Sequence, residues 1–178
     1  MSLYCVELPY RTDAAHYYAA LADLPWPIWL DSGGMARYDI LAAAPQRTLL
    51  LDADATHGDP FEWVRSELGE QVAPVDNVPF AGGALGYWGY DLARRMYALP
   101  GNAQDAKRPP DMAIGIYDWA LVLDHGQRTA RLVSRQRFAE TAELLLQILQ
   151  RLRNSPSLPA DTFRVQGKIT SNFTPDSY

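Results

Sequence analysis

The sequence predicts an α+β fold, a largely antiparallel β-sheet sandwich with flanking helices. Two pairs of β-rich segments have hairpin spacing, 28–31 with 38–43 and 112–123 with 129–134. The helical segments are scattered among these pairs and do not alternate with single strands, which argues against βαβ units. With 178 residues, 48% of them hydrophobic, the chain is long enough to form one sizeable core.

The first elements follow from apolar periodicity and turn residues. Segment 3–8 is predicted to be a strand that ends at Pro9, and 48–51 is predicted to be a third strand after the first hairpin. Thr12 is the predicted N-cap of a helix. Its apolar residues recur at helical spacing: Ala14, Tyr17, Tyr18 and Leu21.

Two further helices are predicted. Asp59, Pro60 and Glu62 supply an N-cap, a first-turn proline and a capping-box acid, and Gly69 ends that helix. Segment 91–97 is predicted to be a short helical turn. The apolar face of the last helix is predicted to consist of Phe138, Ala142, Leu145, Leu149 and Leu152.

Segment 79–91 contains four glycines and four aromatic residues. The glycine spacing fits neither the dinucleotide-binding fingerprint nor a P-loop, so phosphate binding is disfavoured. Two interpretations of this segment remain: a close-packed structural strand, or the wall of a small-molecule pocket. If the segment is a strand, Gly82, Ala84 and Gly86 form a nearly bare face, and we expect the backbone of another layer to approach it, from this chain or from a further domain.

Composition excludes several classes of function. The net charge of −5 argues against a nucleic-acid surface. No apolar stretch is long enough to span a membrane and no basic segment precedes the N-terminal apolar residues, so we expect a cytoplasmic protein. The single cysteine, Cys5, cannot form an internal disulfide and is predicted to be an inert buried thiol.

The sequence shows no assembled catalytic or metal-binding motif. The three histidines, His16, His57 and His125, have no helical pairing and no neighbouring cysteine, which disfavours zinc. No nucleophile-elbow motif is present. We therefore predict no catalytic residues and no cofactor or metal site in this chain.

One cluster has the chemistry of a pocket. It combines aromatic side chains, a hydroxyl and opposite charges, as recognition of a zwitterionic amino acid requires. An aromatic mini-core with a surface ion pair explains the same residues, and residue chemistry alone favours that interpretation. The cluster consists of Trp26, Trp29, Asp31, Ser32, Arg37 and Tyr38.

The order of several segments resembles the N-terminal region of component I of the aminodeoxychorismate synthase and anthranilate synthase family. The matching segments are 24–33, 37–40, 79–95, 110–121 and 171–174. Anthranilate synthases usually carry Leu-Leu-Glu-Ser where this chain has Trp-Leu-Asp-Ser, residues 29–32. The resemblance therefore favours the aminodeoxychorismate, or para-aminobenzoate and folate, branch.

The resemblance implies two regions, an N-terminal domain over 1–170 and, over 171–178, the start of a link into a chorismate-binding catalytic domain. Thr174 and Pro175 look like a helix start that the chain does not continue, which suggests truncation. Magnesium and the groups that activate chorismate belong to that further domain. The parent enzyme would aminate chorismate with ammonia from a glutamine amidotransferase partner, and this chain alone would be inactive.

The resemblance also implies a tryptophan site, which is a feedback site in many anthranilate synthases. The matching residues are Leu30, Asp31, Ser32, Arg37, Tyr38 and Asp39. The family pocket borrows further residues from the catalytic half. The alternatives are the same region of anthranilate synthase component I, a free-standing amino-acid-binding module, and a structural domain that docks onto the missing half.

Overall fold

A computed structural model describes residues 3–52, 58–97, 109–155, 166–168 and 170. The predicted helix start at 174–175 and the second proposed region, 171–178, lie outside these residues. The described strands are β1 Tyr4–Leu8, β2 Ile28–Leu30, β3 Tyr38–Ala42, β4 Arg47–Leu51, β5 Gly83–Trp88, β6 Met112–Tyr117, β7 Trp119–Asp124 and β8 Thr129–Ser134. The helices are α1 Ala15–Ala19, α2 Pro60–Leu68, α3 Ala93–Met96 and α4 Thr141–Arg153, and a 3₁₀ turn, Tyr90–Leu92, precedes α3.

The larger sheet has five strands in the order β1-β8-β7-β3-β2, and every pair is antiparallel. Helices α1 and α4 cover one of its faces. Buried Tyr17 in α1 and buried Leu145 in α4 belong to the same apolar cluster as Trp119 and Leu121 of β7. The arrangement confirms the predicted α+β class with antiparallel sheets and flanking helices.

The smaller sheet has three strands in the order β4-β6-β5, again antiparallel. Helix α2 packs on one of its faces, where Val64 joins a buried cluster with Leu51 and Ile114. The boundaries of α2 agree with the prediction. Asp59 accepts hydrogen bonds from the amides of Phe61 (2.8 Å) and Glu62 (3.3 Å), as an N-cap does.

The segment 112–123, predicted to be one long or bent strand, divides at Asp118 into two strands, β6 and β7, which belong to different sheets. Asp118 is 1% exposed. Its Oδ2 accepts hydrogen bonds from the Thr141 hydroxyl (2.6 Å) and the Phe138 amide (3.1 Å). The Thr141 hydroxyl also accepts a hydrogen bond from the Gln46 side chain (3.4 Å). Gln46 is the last residue of the connection from β3 to β4. Both passages between the sheets therefore meet at the start of α4.

Three smaller predictions were wrong. At the first helix the carboxylate of Asp13, not the side chain of Thr12, accepts a hydrogen bond from the Ala15 amide (2.8 Å). Ala142 is exposed, and Ile148 takes its place on the buried face of α4. Cys5 is exposed, because alternation along β1 points it away from the helix-covered face.

Gly82, just before β5, and Gly86 within β5 lie close to the backbone of the neighbouring strand. Gly86 has φ +152°, and a Cβ built on it would lie 2.0 Å from the Ala113 carbonyl oxygen. Gly82 has φ +122°, and its Cβ would lie 3.0 Å from the Tyr117 carbonyl oxygen. Both oxygens belong to β6, the neighbouring strand of the same sheet. These glycines are therefore needed for pairing within the sheet. Ala84, on the same predicted face, packs against the buried cluster that contains Val64 of α2, so a helix does cover part of this face. The approach of a further domain to it stays a prediction.

Candidate functional site

The candidate residues lie at the β2–β3 hairpin, on the edge of the five-stranded sheet. Trp29 pairs with Leu41, and both pack in the cluster under α1 and α4. Leu30 pairs with Ile40, which packs together with Tyr38 in a separate cluster on the other face. Strand alternation therefore divides the six predicted ligand residues between two faces of the sheet.

A cavity of about 430 Å³ lies on the helix-covered side of the hairpin. Asp31, Ser32 and Asp39, three of the six predicted residues, line it, whereas Leu30, Arg37 and Tyr38 do not. Trp29 supplies an aromatic wall. The remaining lining residues come from the hairpin and from other parts of the chain: Tyr10, Thr12, Asp13, Ala14, Gly33, Gly34, Ala36 and His125.

A hydrogen-bonded chain of side chains borders this cavity. Asp39 is 3% exposed, and its two carboxylate oxygens have different partners. Oδ1 accepts a hydrogen bond from the Ser32 amide (2.7 Å), and Oδ2 lies 3.2 Å from Nε2 of His125. The other ring nitrogen of His125 is 2.9 Å from the Tyr10 hydroxyl. Asp39 thus fixes both the hairpin turn and the orientation of the imidazole.

The turn itself is closed by its own side chains. The Asp31 carboxylate accepts a hydrogen bond from the Gly33 amide (2.8 Å), and the Ser32 hydroxyl accepts one from the Gly34 amide (3.3 Å). Both glycines have positive φ, +58° and +72°, which other residues adopt only at a cost in free energy. The turn therefore presents carboxylates to the cavity, while several of its amides are already occupied.

Arg37 points to the other side of the hairpin and is held there. Its guanidinium makes hydrogen bonds of 2.7–3.2 Å to both carboxylate oxygens of Asp124 and one of 3.1 Å to Asn77. The same guanidinium lies 4.8 Å from the ring centre of Tyr38. The hydrogen bonds from Arg37 lower the pKa of Asp124, and those to Asp124 raise the pKa of Arg37. Arg37 is thus the partner of a buried carboxylate rather than a free cation.

Trp26, the remaining member of the predicted aromatic cluster, adopts a positive φ of +51° between two prolines. Its carbonyl accepts a hydrogen bond from the Tyr117 hydroxyl (2.8 Å). Burial raises the pKa of that phenol, which keeps its proton and remains a donor. This contact ties the segment before β2 to the end of β6.

Sequence reasoning missed three residues here: Tyr10, His125 and Asp124. They come from distant segments, but one signal for two of them was present. If 38–43 is paired antiparallel with 112–123 and its hairpin turn, residues 124 and 125 fall beside Tyr38 and Arg37, as the register Tyr38–Asp124 shows. No comparable signal places Tyr10.

The cavity offers carboxylates, one imidazole and aromatic walls, a set suited to a cationic amine with an apolar body. Within the described ranges, no three His, Cys, Asp or Glu side chains are grouped to hold a metal ion. No helix among the described residues is long and apolar enough to cross a membrane.

Comparison with known proteins assigns the chain to a family. Residues 26–178 match the profile of the chorismate binding enzymes. Aminodeoxychorismate synthase component 1 of Klebsiella aerogenes is 40% identical over 148 residues, covering 72% of this chain and 33% of that protein. Anthranilate synthase component 1 of Streptomyces coelicolor is 33% identical over 132 residues, covering 71% of this chain and 25% of that protein.

A solved structure shows the same relationship. The crystal structure of anthranilate synthase component I from Streptococcus pneumoniae superposes with a TM-score of 0.55 at 26% identity, covering 75% of this chain and 32% of that one. The chain spans about a third of the length of the curated aminodeoxychorismate synthase relatives that it matches. The chain belongs to the chorismate binding enzyme family.

Proposed function

We propose that this chain is the N-terminal, non-catalytic part of an aminodeoxychorismate synthase component I. The observation that carries the proposal is the difference in identity: 40% to the Klebsiella aerogenes aminodeoxychorismate synthase component 1, against 33% to the Streptomyces coelicolor anthranilate synthase component 1. The Asp31-Ser32 sequence, in place of Glu-Ser, favours the same branch.

In this proposal residues 1–170 form the N-terminal domain and 171–178 lead into a chorismate-binding catalytic domain. The intact enzyme replaces the 4-hydroxyl of chorismate with ammonia and forms 4-amino-4-deoxychorismate in the cytoplasm. A glutamine amidotransferase supplies the ammonia. Magnesium is held by the catalytic domain, and the described residues serve to complete and support that domain.

The reaction product tests the assignment. The intact protein is incubated with chorismate, Mg²⁺ and ammonium salt, and the products are separated by liquid chromatography and identified by mass. We expect 4-amino-4-deoxychorismate from the intact protein and no product from the 178-residue chain. Anthranilate, recognised by its fluorescence, would overturn the branch assignment. Turnover by the 178-residue chain would overturn its non-catalytic role.

We further propose that the hairpin contributes to a tryptophan site. Leu30 is 47% exposed although it is a large apolar residue, and Tyr38 lies on the same face. Ser32 and Asp31 stand at the tip between this face and the cavity of about 430 Å³. If the indole ring of tryptophan packs against Leu30 and Tyr38, the α-amino group of the ligand lies near the side chains of Asp31 and Ser32.

Titration calorimetry of the intact protein with L-tryptophan tests this site. We expect binding that Leu30→Ala weakens by tenfold or more, because the substitution removes apolar contact with the indole. Leu146→Ala is the matched control, since Leu146 is 67% exposed on α4. Absence of heat on titration, or equal losses in the two variants, would remove tryptophan from the proposal.

A further inference from the structure

A second cavity, of about 530 Å³, lies where the end of α2 meets the start of β5. None of its lining residues lines the first cavity. Its apolar side chains are Leu68, Val72 and Ala84, and Gly82 and Gly83 contribute bare backbone. Three charged side chains, those of Arg65, Glu70 and Arg137, complete the lining together with Gly69 and Gln71.

Arg137 is partly buried at the border of this cavity. Its Nη2 donates a hydrogen bond to the carbonyl of Leu68, the last residue of α2, and its guanidinium lies 5.8 Å from the ring centre of Phe138. A guanidinium has five N–H donors, so this single bond leaves most of them without an acceptor among the described residues. Among the described residues, no carboxylate lies within 4 Å of Arg137 to form an ion pair.

Other arginines of the chain differ in this respect. Among the described residues, five have a carboxylate partner: Arg37 with Asp124, Arg47 with Glu67, Arg94 with Asp91, Arg151 with Asp23, and Arg65 with Glu62. Arg65 pairs with Glu62, but both side chains are more than 60% exposed, and such surface pairs contribute little. Arg65 can therefore turn into the cavity at little cost in free energy.

The balance of charge favours an anion. Among the lining residues, two guanidiniums stand against one carboxylate, that of Glu70, which is exposed and forms no ion pair with either arginine; Glu62, the partner of Arg65, does not line the cavity. Guanidinium groups bind carboxylates and phosphates through paired hydrogen bonds. The apolar wall of Leu68, Val72 and Ala84 adds a surface that an inorganic anion would not use.

We propose that this cavity binds a small organic carboxylate with an apolar ring. The carboxylate accepts hydrogen bonds from Arg137 and Arg65, and the ring packs on Leu68, Val72 and Ala84. The site is separate from both the hairpin cavity and the chemistry proposed above.

Ligand-detected NMR and titration calorimetry on the intact protein test the proposal, with benzoate as the probe. We expect a dissociation constant on the order of 1 mM, which is within reach of a ligand of this size. Benzamide has nearly the same shape without the charge, and we expect it to bind at least tenfold more weakly. Equal binding of the two, or no binding of benzoate, would overturn the proposal. Inorganic phosphate that binds as tightly as benzoate would also overturn it, because it would show a simple anion site.

Three variants locate the binding. Arg137→Gln should weaken benzoate binding at least tenfold, and Arg65→Gln should weaken it about threefold, since one of two charges is lost in each. Arg135→Gln is the matched control: Arg135 also donates to a backbone carbonyl of the loop after α2, that of Ala73, but it does not line the cavity. The affinity of the Arg135→Gln variant for benzoate should stay within twofold of that of the unchanged protein.

Unchanged affinity in Arg137→Gln, or an equal loss in Arg135→Gln, would overturn the assignment. Should Arg137→Gln fail to fold, the Arg65→Gln variant still tests the proposal, because the Arg65 side chain is exposed and its hydrogen bond goes to Glu62 in the first turn of α2. The measurement requires no chorismate and no amination, so its outcome is independent of the proposed function.

Discussion

Replacing Gly86 by alanine is the sharpest test of the small sheet. An alanine Cβ would lie 2.0 Å from the Ala113 carbonyl oxygen, whereas ordinary contact begins near 3.4 Å. Strand β5 would have to move away from β6 by more than 1 Å, and a hydrogen bond of about 2.9 Å would not survive that movement. Within the part of the chain that the structure describes, β5 is an edge strand whose partner is β6, and no second strand there holds it in place.

Two costs add in this variant. The φ of +152° is strained for a residue with a side chain, at about 1–3 kcal/mol. Loss of two or three ladder hydrogen bonds costs about 1 kcal/mol each. We therefore expect Gly86→Ala to lower the free energy of unfolding by about 3–6 kcal/mol.

Urea unfolding followed by circular dichroism and tryptophan fluorescence measures this difference. Gly33→Ala is the control for φ alone, since Gly33 has φ +58° with no atom within 4 Å of its Cβ, and we expect a loss of about 1 kcal/mol. Gly82→Ala, whose Cβ would meet an oxygen at 3.0 Å, should fall between the two. If Gly86→Ala costs no more than Gly33→Ala, β5 does not pair with β6 as described.

Three further predictions concern single side chains. The pKa of Asp124 is lowered in the folded state, so its ionised form stabilises the fold above the ordinary carboxyl pKa near 4, and this stabilisation is lost as the pH falls through the folded pKa. Asp124→Asn should therefore flatten the dependence of the urea midpoint on pH below about 4. The control Arg128→Gln should not change that dependence. Asp59→Ala removes the N-cap of α2 and should cost about 1 kcal/mol in the same unfolding experiment, while Asp59→Asn should cost only a fraction of that. Exposed Cys5 should react with a thiol reagent in the native protein at a rate close to that in denaturant, and strong protection would show that β1 is covered in the intact protein.

Local signals predicted most of the fold. The boundaries of α2 follow from Asp59, Pro60 and Gly69, which act within their own helix, and the β2–β3 hairpin follows from its turn glycines. The division of 112–123 could not be predicted, because its apolar run is continuous. It depends on Asp118 binding Thr141, which lies 23 residues further along the chain.

The candidate site was predicted less completely, for a related reason. The family resemblance grouped six neighbouring residues, but the period of a strand places Leu30 and Tyr38 on the face opposite Asp39. The partner of Arg37 lies 87 residues away, so its pairing with Asp124 depends on the register of the sheet. Side-chain type in the sequence does not reveal which charge is already compensated.

The junction at Thr141 has a consequence for cooperativity. One buried hydroxyl connects the passage from β3 to β4, through Gln46, with the passage from β6 to β7, through Asp118. If the first turn of α4 unfolds, the hydrogen bonds of Thr141 to Gln46 and to Asp118 are lost at the same time. Amide hydrogens of Ile116 and Leu121, which lie in different sheets, should therefore exchange with solvent in a single opening event, so the two sheets unfold as one unit.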